Sequence, residues 1–209
     1  MEQGQLSDRV QKQVESGIEI IRKGGVIAFP TDTVYGLGAG IYHEAAIERI
    51  YDIKQRPPDM ALPILLAAVS QVHDLAQFLP AYAWRLIDRF LPGGLTLVVY
   101  RTALVKDVIT RGGNTVAIRV PDHPVPVALI QGSGTPIIGT SANLSGRPPV
   151  LVAEDVRNQL DDKVDLIIDG IPAPTGREST VIDVTGEVAV ILREGAISRV
   201  EIAQVTEVV

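Results

Sequence analysis

The feature that most constrains this chain is the alternation of amphipathic helical segments with short apolar runs along almost its whole length. In the first helical segment, residues 7–23, apolar residues recur at spacings of three and four, and Gly24-Gly25 follows as a stop signal. The next run, residues 26–29, is apolar throughout and is ended by Pro30, which is typical of a buried strand. Such alternation predicts the α/β class, in which a sheet is covered by helices.

The same patterns predict the remaining elements. Further helices are predicted over residues 45–54, 69–77, 81–90, 124–131 and 153–160, and further strands over 62–67, 95–100, 115–120, 136–140, 164–168, 180–184 and 188–192. The last two strands are joined by only Thr185-Gly186-Glu187, so we expect an antiparallel hairpin. Because neither a repeat nor a linker interrupts this order, we predict one domain, residues 1–209. Its sheet is twisted, mixes parallel and antiparallel strands, and carries helices on its faces.

Composition excludes several kinds of site. The 209 residues include no cysteine, which excludes thiol nucleophiles, disulfides and cysteine zinc sites. The three histidines show neither HxH nor HExxH spacing, which disfavours a histidine metal cage. A net charge of −6 argues against nucleic-acid binding over the whole surface but is compatible with a local basic cleft. With no signal-peptide pattern and no apolar window of ~18 residues, we expect a cytoplasmic protein without a membrane span.

Three familiar motifs are incomplete. Residues 36–40, GLGAG, lack the third glycine of a dinucleotide-binding turn and an acidic residue about twenty positions later. Residues 134–141 imitate a P-loop but have Thr140 where a lysine must reach the phosphates. Ser141 is followed two residues later by Asn143 rather than glycine, so it is not at a hydrolase nucleophile elbow.

Polar segments are concentrated where predicted strands end, which is where ligands bind in open α/β sheets. Residues 30–38, PTDTVYGLG, carry two threonines, an aspartate and a tyrosine, which is more than a turn requires. Residues 139–148, GTSANLSGRP, offer hydroxyls and backbone N–H groups either to a turn or to an anion. Both segments are therefore candidates for ligand contacts.

Cations occupy the same kind of position. Lys54 and Arg56 end a helix ahead of two prolines, where they either complement the helix dipole or bind phosphate. Arg119 lies within an apolar strand on the face of Ala117, so it needs either an internal aspartate or a ligand carboxylate as partner. The cations in or beside such segments are Lys54, Arg56, Arg111, Arg119, Arg147, Arg177 and Arg193. The residues alone therefore indicate an α/β enzyme that binds a phosphate or carboxylate.

Six motifs, in this order, resemble those of the YrdC-like threonylcarbamoyl-AMP synthase family. They are PTDTVYGLG at 30–38, KQRP at 54–57, AIRVPDHP at 117–124, GTSANLSG at 139–146, STVID at 179–183 and LREGAIS at 192–198. The resemblance implies a mixed sheet with a concave, positively charged face, in the short, single-domain form of the family. It also implies synthesis of threonylcarbamoyl-AMP and pyrophosphate from L-threonine, bicarbonate and ATP with Mg²⁺. Other proteins would then transfer the threonylcarbamoyl group to tRNA.

The resemblance also assigns residues by position. The implied nucleotide contacts are Lys54, Arg56, Thr115, Ser141, Asn143 and Arg193, and the implied threonine contacts are Thr33, Arg119 and Ser179. Lys54 and Arg56 are expected to act in catalysis by neutralising charge. No residue is assigned as a metal ligand or a general base.

One departure and three alternatives accompany this interpretation. Met60 and Ala61 stand where the family commonly has a basic or amide residue and then proline, so we expect no polar nucleotide contact there. The alternatives are an RNA-binding module, a carbamoyl-transfer domain of the same fold, and a paralogue without synthase activity. The acidic net charge disfavours the first and the lack of cysteine the second. The intact Lys54/Arg56 and Ser141/Asn143 pairs disfavour the third.

Overall fold

The computed structural model describes residues 6–57 and 59–209. Its helices are α1 (Asp8–Arg22), α2 (Glu44–Lys54), α3 (Val72–Leu75), α4 (Ala81–Phe90), α5 (Asp107–Thr110), α6 (Pro124–Ser133), α7 (Ala153–Leu160) and α8 (Arg199–Ala203). Its strands are β1 (Ile27–Phe29), β2 (Gly36–Gly38), β3 (Ile64–Leu65), β4 (Leu95–Tyr100), β5 (Thr115–Arg119), β6 (Ile137–Ile138), β7 (Thr140–Ser141), β8 (Leu166–Ile167), β9 (Thr180–Asp183) and β10 (Val190–Arg193). In this part of the chain no helix is long and apolar enough to cross a bilayer.

Most predicted elements are present, and α4, β4 and α7 have the predicted bounds. The helical stretch predicted over residues 69–77 is present over residues 69–75, but it is divided into two short pieces. A 3₁₀ turn over Val69–Gln71 precedes the single turn of α3, because the Gln71 Oε1 atom accepts hydrogen bonds from two preceding backbone N–H groups. Strand β2, which lies inside the polar segment 30–38, was not predicted, and neither were α5 and α8.

The strands form two mixed sheets. The smaller sheet has the order β7-β2-β1-β8, and the larger has the order β10-β9-β4-β5-β3-β6. The pairs β1–β8, β3–β5 and β4–β9 are parallel, and the other pairs are antiparallel, including the predicted β9–β10 hairpin. This confirms the mixed α/β architecture.

The two sheets meet where the chain passes from β6 to β7. The predicted strand over 136–140 is divided at Gly139, so that β6 belongs to the larger sheet and β7 to the smaller. At this junction Gly38 lies so close to β6 that a Cβ atom would stand 2.1 Å from the Ile138 carbonyl oxygen. Only glycine permits that approach, which explains Gly38 of the GLG sequence without any dinucleotide.

The smaller sheet is covered on both faces, because alternate residues of a strand point in opposite directions. Ile27 and Phe29 pack with α1 and α6 in one apolar cluster. Val26 and Ala28 join the main cluster, which includes apolar residues of α2 and α7. Burial of these side chains on both sides makes β1 the fully buried strand that its sequence predicted.

The larger sheet is covered differently on its two faces. Leu97, Ile118 and Ile182 pair across β4, β5 and β9 and are buried in the main cluster together with α4. The opposite face carries Thr96 and Ala117, which line a cleft. Ala117 and Arg119 share this face as predicted, but it faces the cleft rather than the core.

Candidate active site

The cleft lies against the uncovered face of the larger sheet, beside the junction of the two sheets, and has a volume of about 240 Å³. Residues of the β6–β7 crossing form part of its wall. Six of the nine site residues expected from the sequence line it: Thr33, Arg56, Arg119, Ser141, Ser179 and Arg193. Segments separated by up to 160 residues are therefore assembled around one cavity.

Arg119 is held at the end of β5 by three hydrogen bonds. Its Nε atom donates to the Gly93 carbonyl at 2.9 Å, Nη1 to Thr33 Oγ1 at 2.8 Å and Nη2 to Asp32 Oδ1 at 2.7 Å. Burial lowers the pKa of Arg119, and the charge of Asp32 opposes that shift. Of the two partners that the sequence left open, the structure shows the internal aspartate. Because a guanidinium has five N–H groups, two remain for a ligand.

The turn between β1 and β2 presents Thr33 to the cleft. Thr31 Oγ1 donates to the Val34 carbonyl at 2.7 Å and accepts from the Thr33 backbone N–H at 3.1 Å. Since the Thr31 proton is used there, the Thr33 hydroxyl is the donor in its 3.0 Å contact with Thr31. Thr31 therefore shapes the turn, whereas Thr33 presents only acceptor capacity to Arg119 and the cleft.

Tyr35, in the same segment, has a structural role. Its hydroxyl lies 3.1 Å from both the Ile168 and Ile171 carbonyl oxygens, away from the cleft lining. Burial raises the pKa of Tyr35 to about 12. The polar composition of residues 30–38 thus mixes turn-forming, core and cleft residues.

Arg193 and Glu178 form the opposite wall. Arg193 Nη1 donates to Glu178 Oε2 at 2.8 Å, and Nη2 donates to the Ser179 carbonyl at 2.9 Å. The loop after Arg193 returns so closely that a Cβ atom on Gly195 would lie 2.2 Å from the Glu178 carbonyl oxygen. Glycine is therefore required for this loop to keep Arg193 beside the cleft.

Arg56 leaves helix α2 through Gln55, whose φ of 51° reverses the chain direction. The Arg56 Nε atom donates to the Met60 carbonyl at 3.1 Å, and Nη2 donates to the Ala61 carbonyl at 2.9 Å. Burial lowers the pKa of Arg56, as does the charge of Arg193, but a guanidinium stays protonated at neutral pH. Met60 and Ala61 thus contribute through their backbones, irrespective of their side chains.

Lys54 lies behind the cleft rather than on its wall. It continues the buried stripe of Ile47 and Ile50 on α2, since residues three and four apart share a helix face. Its Nζ atom donates to the Ser141 carbonyl at 2.5 Å and to the Asn143 carbonyl at 2.7 Å. Burial, and then the charge of Arg56, lower the pKa of Lys54 to about 8.

Asn143 and Thr115 also lie off the lining of the cleft. Asn143 Nδ2 donates to the Leu144 and Arg147 carbonyls, and within the described residues its buried Oδ1 atom has no partner. Thr115 begins β5, four residues and roughly 13 Å before Arg119 along the strand. The proposed nucleotide contacts of Lys54, Asn143 and Thr115 stay predictions.

Sequence reasoning missed several polar residues of the site. Thr96 is buried on the floor of the cleft, and its Oγ1 atom lies 2.7 Å from Ser179 Oγ. Its signal was a lone threonine within the apolar strand Leu95–Tyr100. Glu178 lines the cleft, and Asp32 lies behind Arg119. Asp32 belongs to the segment 30–38 that the sequence singled out, and Glu178 directly precedes the motif at 179–183, but neither was given a role.

Two further arginines from the predicted loops have structural or surface positions. Arg111 forms a bidentate ion pair with Glu48 and lies 3.6 Å from the centre of the Tyr51 ring, so it braces α2 against α5. Arg147 is exposed. Neither lines the cleft.

The cleft is nevertheless positive within an acidic chain. Three arginines (Arg56, Arg119 and Arg193) face two carboxylates (Asp32 and Glu178), and each carboxylate is paired with an arginine. Among residues 6–57 and 59–209 no group of three or more His, Cys, Asp or Glu side chains is placed to hold a metal ion. The arrangement is suited to an anionic ligand that carries oxygen atoms.

Comparisons with known proteins identify the family of this chain. A family model for Sua5, YciO and YrdC proteins, described as "Telomere recombination", matches residues 19–195. The chain is 43% identical over 194 residues to the threonylcarbamoyl-AMP synthase of Bacillus subtilis (strain 168). This alignment covers 92% of this chain and 56% of that protein.

Solved structures show the same relationship. The Pyrococcus abyssi Sua5 structure complexed with L-threonine superposes with a TM-score of 0.90 at 42% identity, covering 94% of this chain and 58% of that one. Escherichia coli YciO superposes with a TM-score of 0.80 at 32% identity, covering 90% and 91% of the two chains. The chain thus spans little more than half of the two synthases and nearly all of YciO. These matches confirm the resemblance, and the chain belongs to the Sua5/YciO/YrdC family.

Proposed function

We propose that this chain is a threonylcarbamoyl-AMP synthase, which joins L-threonine, bicarbonate and ATP and releases pyrophosphate. The observation that carries the proposal is the convergence of three arginines and the hydroxyls of Thr33, Thr96 and Ser179 on one small cleft. Relatives that are named for this activity, and one solved with L-threonine, support it.

The amino acid would bind with its carboxylate on Arg119. That guanidinium is fixed by Gly93, Thr33 and Asp32, so little side-chain entropy is lost when a ligand binds. A volume of about 240 Å³ corresponds to roughly eight water molecules, and threonine has eight non-hydrogen atoms. The cleft is therefore suited to an amino acid.

The nucleotide would extend out of the cleft. A second depression, of about 460 Å³, shares Glu178 and Arg193 with the cleft and continues it past Pro149 and Gly195. Arg56 and Arg193 are then placed to neutralise the phosphates. Mg²⁺ would arrive as part of the substrate MgATP, since the polyphosphate itself supplies oxygen ligands.

The chemistry proceeds without a covalent enzyme intermediate. The deprotonated amine of threonine attacks bicarbonate, or the CO₂ derived from it, and gives a carbamate with release of water. A carbamate oxygen then attacks the α-phosphorus of ATP, and pyrophosphate leaves. The arginines contribute by positioning the reactants and by stabilising the charge of the transition state. The product would be handed to other proteins for transfer to tRNA.

Pyrophosphate release tests the proposal. We expect release from MgATP that requires both L-threonine and bicarbonate, and that falls about a hundredfold or more in Arg119→Met. Arg85→Met is the matched control, because Arg85 is exposed on α4 and lies outside the cleft. Release that is indifferent to threonine would refute the proposal. ATP binding without turnover would favour the paralogue that lacks synthase activity, and RNA affinity that depends steeply on salt would favour the RNA-binding module.

A further inference from the structure

The hydroxyl groups of Thr96 and Ser179 form a buried pair on the floor of the cleft. Their exposed fractions are 4% and 7%, and their oxygen atoms are 2.7 Å apart. Arg193 Nη2 also donates to Ser179 Oγ, at 3.4 Å. Within the described part of the chain, neither hydroxyl has another hydrogen-bond acceptor besides its partner.

A count of hydrogen atoms shows what the pair lacks. Two hydroxyls carry two protons, and the bond between them uses only one. The other proton has no acceptor in the described protein, although both groups are more than nine-tenths buried. Because an unmade hydrogen bond at a buried site is costly, the pair needs an acceptor supplied from the cleft.

The pair lies next to the carboxylate-binding position. The register that pairs Leu97 with Ile118 places Thr96 opposite Arg119, on the face that lines the cleft. Directly opposed cross-strand residues have Cβ atoms about 5 Å apart. In a β-hydroxy amino acid the carboxyl carbon and the hydroxyl oxygen are separated by two carbon atoms, so such a ligand can span these neighbouring positions.

We infer that Thr96 and Ser179 together recognise the β-hydroxyl of the amino-acid substrate, and that Thr96 is a specificity-determining residue that favours threonine over valine. This inference rests on the proposed function, because it places the amino acid in the same cleft. The ligand hydroxyl donates to one member of the pair and accepts the unused proton of the other. One hydroxyl cannot both accept a hydrogen bond from the ligand hydroxyl and donate one to it. Thr96 and Ser179 therefore contribute one hydrogen bond each.

Calorimetric titration of the full chain with L-threonine and with L-valine, its near-isostere without the hydroxyl, tests the inference. Thr96→Val keeps the shape of the side chain and removes only its hydroxyl. We expect it to weaken threonine binding about tenfold, the value of one net hydrogen bond, and to change valine binding by less than about twofold. Thr96→Ser restores the hydroxyl and is expected to restore the preference for threonine.

The matched control is Thr110→Val. Thr110 is also buried, and its Oγ1 atom has no partner among the described residues, but it lies on α5 outside the cleft. We expect this variant to bind both amino acids as the wild type does. Equal weakening of threonine and valine binding in Thr96→Val would overturn the inference, since it would indicate a packing role. An unchanged preference, or wild-type protein that binds neither amino acid, would overturn it too.

The same variants in the pyrophosphate assay separate the two proposals. The wild type could prefer threonine and lose that preference in Thr96→Val, yet release no pyrophosphate. That result would support the recognition of the β-hydroxyl by Thr96 and Ser179 and refute the synthase activity. Pyrophosphate release that depends on threonine but is unaffected by Thr96→Val would refute the hydroxyl site alone.

Discussion

Replacement of Lys54 by methionine tests how the loop that carries Ser141 and Asn143 is held. Methionine preserves most of the volume and the apolar stem of lysine but donates no hydrogen bond. The change leaves two carbonyl oxygens, those of Ser141 and Asn143, without the donor that now satisfies them. Each unsatisfied buried acceptor costs about 1–3 kcal/mol, so we expect a loss of about 2–6 kcal/mol in the free energy of unfolding.

The pH dependence of this effect follows from the pKa of Lys54. Burial, and then the charge of Arg56, lower this pKa from 10.5 to about 8, and the charge of Glu178 opposes the lowering. Between these two pKa values the unfolded chain binds more protons than the folded chain, so stability rises with pH. The neutral amine still has two N–H groups for its two carbonyls. The stability difference between the wild type and Lys54→Met should therefore widen from pH 8 to pH 10.

Urea denaturation followed by circular dichroism measures both effects, with Lys12→Met as control because Lys12 is exposed on α1. The control is expected to change the free energy of unfolding by less than about 0.5 kcal/mol. A loss below about 1 kcal/mol in Lys54→Met would show that Lys54 does not anchor this loop. A difference that narrows as the pH rises would contradict the lowered pKa.

Three further predictions concern other parts of the site. Asp32→Ala removes the partner of a buried guanidinium and should cost about 3 kcal/mol in urea denaturation; a change below about 1 kcal/mol would mean that Arg119 is solvated instead. Arg193→Met should lower kcat/KM for ATP about a hundredfold in the pyrophosphate assay, and an effect under threefold would place the phosphates elsewhere. Because burial raises the pKa of Tyr35 to about 12, the stability that the neutral phenol provides is present below pH 10 and lost as the pH rises through 12. Tyr35→Phe should lose less stability over that interval in urea titrations at pH 9.5 and 11.5, and an equal loss in both proteins would disprove the shift.

Local chemistry explains why some elements were predictable. Helices with a regular apolar stripe, such as α4 (Ala81–Phe90), and strands with continuous apolar runs, such as β4 (Leu95–Tyr100), carry their signal in consecutive residues. The burial of Lys54 was implicit in its position one turn after Ile50, on the apolar stripe of α2, whereas its contact with the nucleotide stays a prediction. By contrast, β2 consists of Gly36-Leu37-Gly38, which has no intrinsic preference for a strand and is held by pairing with β1 and β7.

The sequence by itself determined the α/β class and the family, and it singled out six of the residues that line the cleft, because each depends on residue type and order along the chain. Only the tertiary structure decided the partners of these residues. The pairing of Arg119 with Asp32, and that of Ser179 with Thr96, join positions 87 and 83 residues apart. Such contacts depend on how β4, β5 and β9 align, and strand register is set by packing across the whole sheet rather than by neighbouring residues.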